Sequence, residues 1–276
     1  PPSLPLILYG VVTETPIADL FLAGLVPGAL IIAAFCLYIM VAVSLGHGIE
    51  PDAPRPRFTW AERLASIRLA GPTVVLIVAV IGSIYAGIAT PTEAAAVGVI
   101  GALLLAAVSG KLSWPAFRTA LVNATRTSCM VMFVLIGAML FGYLLGLLRV
   151  PQGLSDWVLH MGLSRWAVFA LLMAAYFVLG MFLEVTSIIL ITMPIVYPTI
   201  IKLGFDPVWF AMVLIVNMSF AVITPPVGLC LYVAKSCLPG TSISQVVRGT
   251  LPFMGLLAAV IVVLCLFPEL VTGFIR

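Results

Sequence analysis

The sequence predicts an all-α polytopic membrane protein with broken helices and one re-entrant hairpin. Three observations carry that prediction. Of 276 residues, 63% are hydrophobic and 8% charged, where a soluble domain carries roughly 25% charged residues. The mean hydropathy is +1.27. The apolar runs are continuous rather than alternating, which selects helices over a barrel. The net charge of +3 is small and the basic residues fall between apolar runs, so nucleic acid is not an expected partner and membrane lipid is. Cys36, Cys129, Cys230, Cys237 and Cys265 are scattered, without a CxxC or Cys/His cluster. They read as small apolar packers, with no disulfide framework, zinc site or other cofactor implied.

The elements follow in order. The chain opens on "PPSLPLILYG" without Met, and residues 1–12 are short of the ~20 that a crossing needs. It therefore reads as the C-terminal part of a longer protein. Residues 1–46 hold a broken helix at Pro1, Pro2 and Ser3, then one long apolar element over 17–46. Residues 47–70 are a connector, Pro-rich at first, whose stretch from Thr59 to Leu69 reads as an amphipathic surface helix. Residues 71–148 hold crossings over 72–89, 91–108 and 127–148, with "SGKLSWPAFRTALVNATR" as a basic link before the last. Residues 149–165 are a mixed connector. Residues 166–201 are apolar at both ends and polar in the middle, at Glu184, Thr186 and Ser187, with Pro194 and Pro198 beyond. That pattern reads as a hairpin with its tip inside the membrane. Residues 202–276 hold a broken crossing centred on "ITPPVG" and a last crossing over 250–267. Arg55, Arg57, Arg63 and Arg68 in one loop, and Lys111, Arg118 and Arg126 in another, place both loops in the cytoplasm. The hairpin then opens from the outside.

"PPSLPLILYGVVTETPIADLFLAGLVPGALI" from Pro1 aligns with "PPVGLCLYVAKSCLPGTSISQVVRGTLPFMGLL" from Pro225. Each has Pro-Pro, a short apolar half-helix with Tyr9 or Tyr232, a polar turn, then GxxP. By charge, the first copy runs outward and the second inward, the inverted repeat of many secondary transporters. Pro-Pro removes two backbone donors and frees carbonyls, and freed carbonyls with short hydroxyls suit a cation such as Na⁺. The candidate ion or substrate residues are Ser3, Glu184, Thr186, Ser187, Thr224, Pro225, Pro226 and Gly228. Among them Thr186, Ser187, Thr224, Pro225 and Gly228 are the sodium candidates. An acidic residue mid-membrane costs ~2.5–3.5 kcal/mol on insertion scales, so Glu184 reads as functional, with a helix cap as the plain alternative. Asn217 and Ser219 face the same cavity or simply pack; the pattern leaves both open.

Glu93 reads differently. Thr90-Pro91-Thr92-Glu93 is a capping box, with Thr at N-cap, Pro at N1 and Glu at N3. A structural turn suffices to explain it. "EAAAVG" is not the coupling loop of an ABC permease: its Gly spacing is one residue short, and it enters an apolar helix on the outer side.

"AGIATPTEAAAVGV", "ITPPVGLCLYVAKS", "PPSLPLILYGVVTE" and "GMFLEVTSIILITMPIVYP" together resemble the large membrane subunit of tripartite ATP-independent periplasmic (TRAP) transporters, over essentially the whole chain. The resemblance implies an elevator-type, sodium-coupled importer in a bacterial inner membrane. It implies that a periplasmic substrate-binding protein delivers an organic acid and that a small membrane subunit braces the scaffold. It also implies sodium sites where hairpin tips meet broken helices, here Glu184–Ser187 with Thr224–Gly228, plus Pro1–Ser3. This chain departs from the family pattern at Ala221, where Gly is common, and at Cys230, where Asn is common. An intramembrane enzyme is the competing class, but it would need catalytic groups at depth, and His47 and His160 fall in loops.

Overall fold

The structure, a computed structural model, describes residues 3–46, 59–160, 162–237 and 240–273. The Pro1-Pro2 break, Arg55, Arg57 and His47 lie outside the described residues. The elements are α1 (Leu4–Thr13), α2 (Ile17–Ala23), α3 (Leu25–Ser44), α4 (Trp60–Tyr85), α5 (Pro91–Val108), α6 (Trp114–Leu147), α7 (Val150–His160), α8 (Arg165–Phe182), α9 (Val185–Lys202), α10 (Pro207–Val222), α11 (Leu229–Ser236), α12 (Ile243–Leu266) and α13 (Glu269–Thr272). Among the described residues, 6 helical segments are long and apolar enough to cross a bilayer. The chain is an all-α, multi-pass membrane protein. It divides into two compact units, Pro1–Ile39 with Met132–Arg276, and Met40–Val131.

In the Met40–Val131 unit, α4 begins on a capping box. Thr59 N donates to Glu62 Oε2 over 2.7 Å, and Glu62 N donates back to Thr59 Oγ1 over 3.3 Å. The surface helix expected over 59–69 is the first part of α4: it continues into the crossing with a bend of 47° between Trp60–Arg68 and Ala70–Tyr85, just before Pro72. α5 returns against α4, with Ala94 fully buried and Gly101 set against Leu76. The basic link expected before residue 127 is not a separate element. One helix of 34 residues runs from Trp114 to Leu147. No Gly or Pro falls between Ala116 and Ile136, so the polar residues change what the helix faces without ending it.

The other unit holds the hairpin. α8 and α9 are 18 residues each, separated by Leu183 and Glu184 in extended conformation. Tyr176 and Thr192 flank that break, and their hydroxyls lie 2.7 Å apart. In a continuous helix, 16 residues would separate them by about 24 Å; the chain therefore folds back on itself. Thr192 Oγ1 donates to Ile188 O over 2.7 Å, so Tyr176 is the donor in the pair. The far ends of the arms also meet: the Arg165 guanidinium lies 5.7 Å from the Phe205 ring, and Trp166 packs edge-on at 5.3 Å. Lys202 pairs with Asp156 of α7 at 3.5 Å. Arg165, Lys202, Asp206 and Glu269 thus gather at one end of the unit, as expected of an end facing water.

α10 is the most buried helix. It runs parallel to α8. Phe169 meets Phe210, Asn217 Nδ2 donates to Met173 O over 2.9 Å, and Phe177 meets Phe220 at 4.6 Å. Residue numbers rise together along this seam. Trp209 Nε1 donates to Leu264 O of α12 over 2.8 Å, and Tyr9 Oη of α1 donates to Pro207 O over 2.9 Å. Indole and phenol groups buried among apolar side chains need such acceptors.

Candidate ion and substrate site

Parallel packing has one consequence for the site: α8 and α10 break at the same end. Gly180 and Ala221 are in such close contact that a Cβ on Gly180 would lie 2.7 Å from that of Ala221. Within the next turn, α8 ends at Phe182 and α10 at Val222. The hairpin tip, Leu183–Ser187, and the loop Thr224–Gly228 therefore leave the seam side by side.

At the tip, Glu184 is the N-cap of α9. Its Oε2 accepts from Ser187 N at 3.0 Å, with Ser187 Oγ at 3.5 Å. Capping, the plain reading of Glu184, is what its carboxylate does in this structure. The residue is exposed, while Thr186 and Ser187 are half-buried on the first turn of α9.

In the loop, Thr224 is 8% exposed, and its Oγ1 donates to Phe220 O over 2.7 Å. Its oxygen keeps lone pairs for a further contact. Pro225 and Pro226, joined by a cis bond, cannot donate to the carbonyls of Ala221 and Val222. Thr224 N supplies one replacement, to Ala221 O at 3.0 Å. Gly228 restarts the chain as N-cap of α11 at φ 52° and ψ 70°. A Cβ there would sit 3.1 Å from Thr224 O and 2.7 Å from Leu231 Cδ1, so both conformation and space require glycine.

Four helix ends border these two breaks. The C-terminal ends of α8 and α10 bring carbonyls; the N-terminal ends of α9 and α11 bring N–H groups. The first set suits a cation and the second an anion.

Ser3, the other half of the expected pair of breaks, is half-buried at the N-cap of α1 and makes no capping side-chain bond. The bonds that anchor α1 lie at Tyr9, beside the start of α10 rather than its end. They do not tie Ser3 to the tip and the loop. Asn217 is buried and bound to α8, so packing is its role; Ser219 is exposed and donates to Ile215 O within its own helix at 2.9 Å. Thr90 and Glu93 form the expected box, with Thr90 N to Glu93 Oε2 at 2.8 Å and Glu93 N to Thr90 Oγ1 at 3.3 Å. The cysteines correct the sequence reading: Cys36, Cys129, Cys230 and Cys237 are exposed and only Cys265 is partly covered. Cys36, Cys129 and Cys230 lie on exposed helix faces and Cys237 at the C-cap of α11, where thiols are tolerated as weakly polar groups. Nothing local in the sequence marks Gly180, a glycine that answers a residue 41 positions away.

Over residues 1–270 the chain matches the family "Tripartite ATP-independent periplasmic transporter, DctM component". The chain belongs to the TRAP transporter large-permease family. It is 34% identical over 269 residues to the C4-dicarboxylate TRAP transporter large permease protein DctM of Pseudomonas aeruginosa, covering 97% of this chain and 62% of the relative. It is 33% identical over 271 residues to the sialic acid TRAP transporter large permease protein SiaM of Vibrio cholerae, covering 98% and 62%. It is 32% identical over 272 residues to the ectoine/5-hydroxyectoine TRAP transporter large permease protein UehC of Ruegeria pomeroyi, again covering 98% and 62%. The chain thus spans about three fifths of the length of these large permeases.

Proposed function

We propose that this chain belongs to a secondary transporter that imports an organic acid with sodium across a bacterial inner membrane, by an elevator movement. Supporting this reading is the juxtaposition of the C-terminal ends of α8 and α10, which break side by side into the hairpin tip and the Thr224–Gly228 loop. The carbonyl ends of α8 and α10, with the Thr224 and Ser187 hydroxyls, offer a cation a hard-oxygen environment. The amide ends of α9 and α11 favour a carboxylate. Bound together, each charge lowers the cost of desolvating the other, and that mutual dependence is the physical basis of coupling. Glu184 sets the tip through its cap and keeps one carboxylate oxygen free to face the ion. By the inverted repeat, Ser3 belongs to a second such junction.

Family membership supports the partners: a periplasmic substrate-binding protein that delivers the acid and a small membrane subunit that steadies the scaffold. The relatives' names, which specify C4-dicarboxylate, sialic acid and ectoine, support an organic solute and leave its identity to a ligand screen on the cognate binding protein.

The test is uptake into proteoliposomes holding the full large subunit, the small subunit and the binding protein. Uptake should follow an imposed sodium gradient and ignore ATP. With more sodium charges than substrate charges, an inside-negative potential should add ~2.3 kcal/mol per net charge per 100 mV. Uptake that runs without a sodium gradient but follows ATP would overturn the proposal.

A further inference from the structure

The seam between α8 and α10 is tightly closed at Gly180, immediately before both helices break. Along it, Asn217 is bonded to Met173 O and Phe177 is packed on Phe220, so its length is pinned. At its end, a Cβ on Gly180 would lie 2.7 Å from the Ala221 Cβ and 3.1 Å from Met218 Sδ. Small residues at a crossing let two backbones approach closely. Here one side of the crossing already carries a methyl group, and only the missing Cβ on the other side makes room for it. Ala221 and Met218 are both fully buried, so neither has free space to retreat into.

We propose that the Gly180–Ala221 contact is the positioning element that sets the gap between the hairpin tip and the Thr224–Gly228 loop, and thereby the apparent sodium affinity. This rests on the sodium-coupled reading above. The contact acts by spacing the two helix ends, with no side chain of its own on the ion. With the seam pinned at Asn217, a side chain added at position 180 has one outlet: it spreads the ends of α8 and α10, where the carbonyls of the proposed cation site leave their helices.

The experiment uses the complete transporter with both partners in proteoliposomes. It reads the sodium concentration for half-maximal uptake alongside thermal unfolding measured without sodium. Gly180→Ala should raise the half-maximal sodium concentration by about tenfold, equivalent to about 1.4 kcal/mol. Ala221→Gly, which adds no bulk, keeps the fold testable if Gly180→Ala folds poorly, and should shift the same quantity by loosening the contact. The double variant Gly180→Ala with Ala221→Gly exchanges the methyl group between partners and should return sodium dependence to within about twofold of wild type. The inference is overturned if Ala221→Gly leaves sodium dependence unchanged, or if the double variant recovers stability without recovering sodium affinity. If the wild-type transporter shows no sodium dependence, the sodium-coupled reading fails and takes this inference with it. A sodium-dependent wild type with indifferent variants defeats the positioning role alone.

Discussion

Two turns in this molecule are built alike. At Thr90–Glu93 and at Glu184–Ser187, a helix stops, a carboxylate accepts a backbone N–H within 3.0 Å, and a new helix starts. The first turn joins α4 to α5 through a reciprocal capping box: Glu93 Oε2 accepts both the amide and the hydroxyl of Thr90, each at 2.8 Å, and Glu93 N donates back to Thr90 Oγ1. The second joins α8 to α9 where α8 ends against the last turn of α10, the helix that breaks at Thr224–Gly228. A cap is thus no guide to function by itself. What differs is whether other unpaired helix ends arrive at the same place.

Predictions that separate the two turns begin with Glu184. Glu184→Gln keeps the size and much of the cap but removes the charge, and should cut uptake more than tenfold, over 1.4 kcal/mol. If it merely lowers stability, as a cap variant does, the two turns are equivalent and the distinction collapses. Thr224→Val keeps the shape and removes the hydroxyl. It should raise the half-maximal sodium concentration by several-fold, in line with ~1 kcal/mol for one polar contact. Unchanged sodium dependence would take that hydroxyl out of the site. Asn217→Ala removes the bond to Met173 O inside the seam and should lower unfolding stability by ~1–3 kcal/mol; a melting temperature equal to wild type would show that the seam is held by its aromatic contacts alone. The smallest effect is expected at the other turn. Thr90→Ala should cost ~0.5–2 kcal/mol of stability and leave sodium dependence untouched. Loss of coupling in a folded Thr90→Ala protein would make the α4–α5 turn functional after all.

Local features were legible in the sequence because their causes are local. Thr90 and Glu93 stand at cap spacing, and Glu184 interrupts an apolar run, so both turns can be placed without a structure. Pro225, Pro226 and Gly228 put two missing donors and a left-handed glycine within four residues, which ends a helix where a single proline such as Pro72 does not. The partnership of α8 with α10 is another matter. It depends on Asn217 reaching a main-chain carbonyl 44 residues away, and on a methyl group fitting against Gly180. Neither leaves a periodic trace. The extent of α6 was hidden for a different reason: Lys111, Arg118 and Arg126 look like a loop in hydropathy, although charge at a membrane surface is compatible with an unbroken helix.

The length of the hairpin arms has a consequence for voltage. Eighteen residues rise about 27 Å, close to the ~30 Å of hydrocarbon in a bilayer. A hairpin standing upright, entering at its charged end by Arg165 and Lys202, would have almost crossed the insulating layer when it turns at Glu184. Only a thin septum then separates the tip from the opposite solution. If water follows the arms inward, most of the membrane potential drops across that septum, and a charge held beside Glu184 traverses much of the electric field in a short final movement.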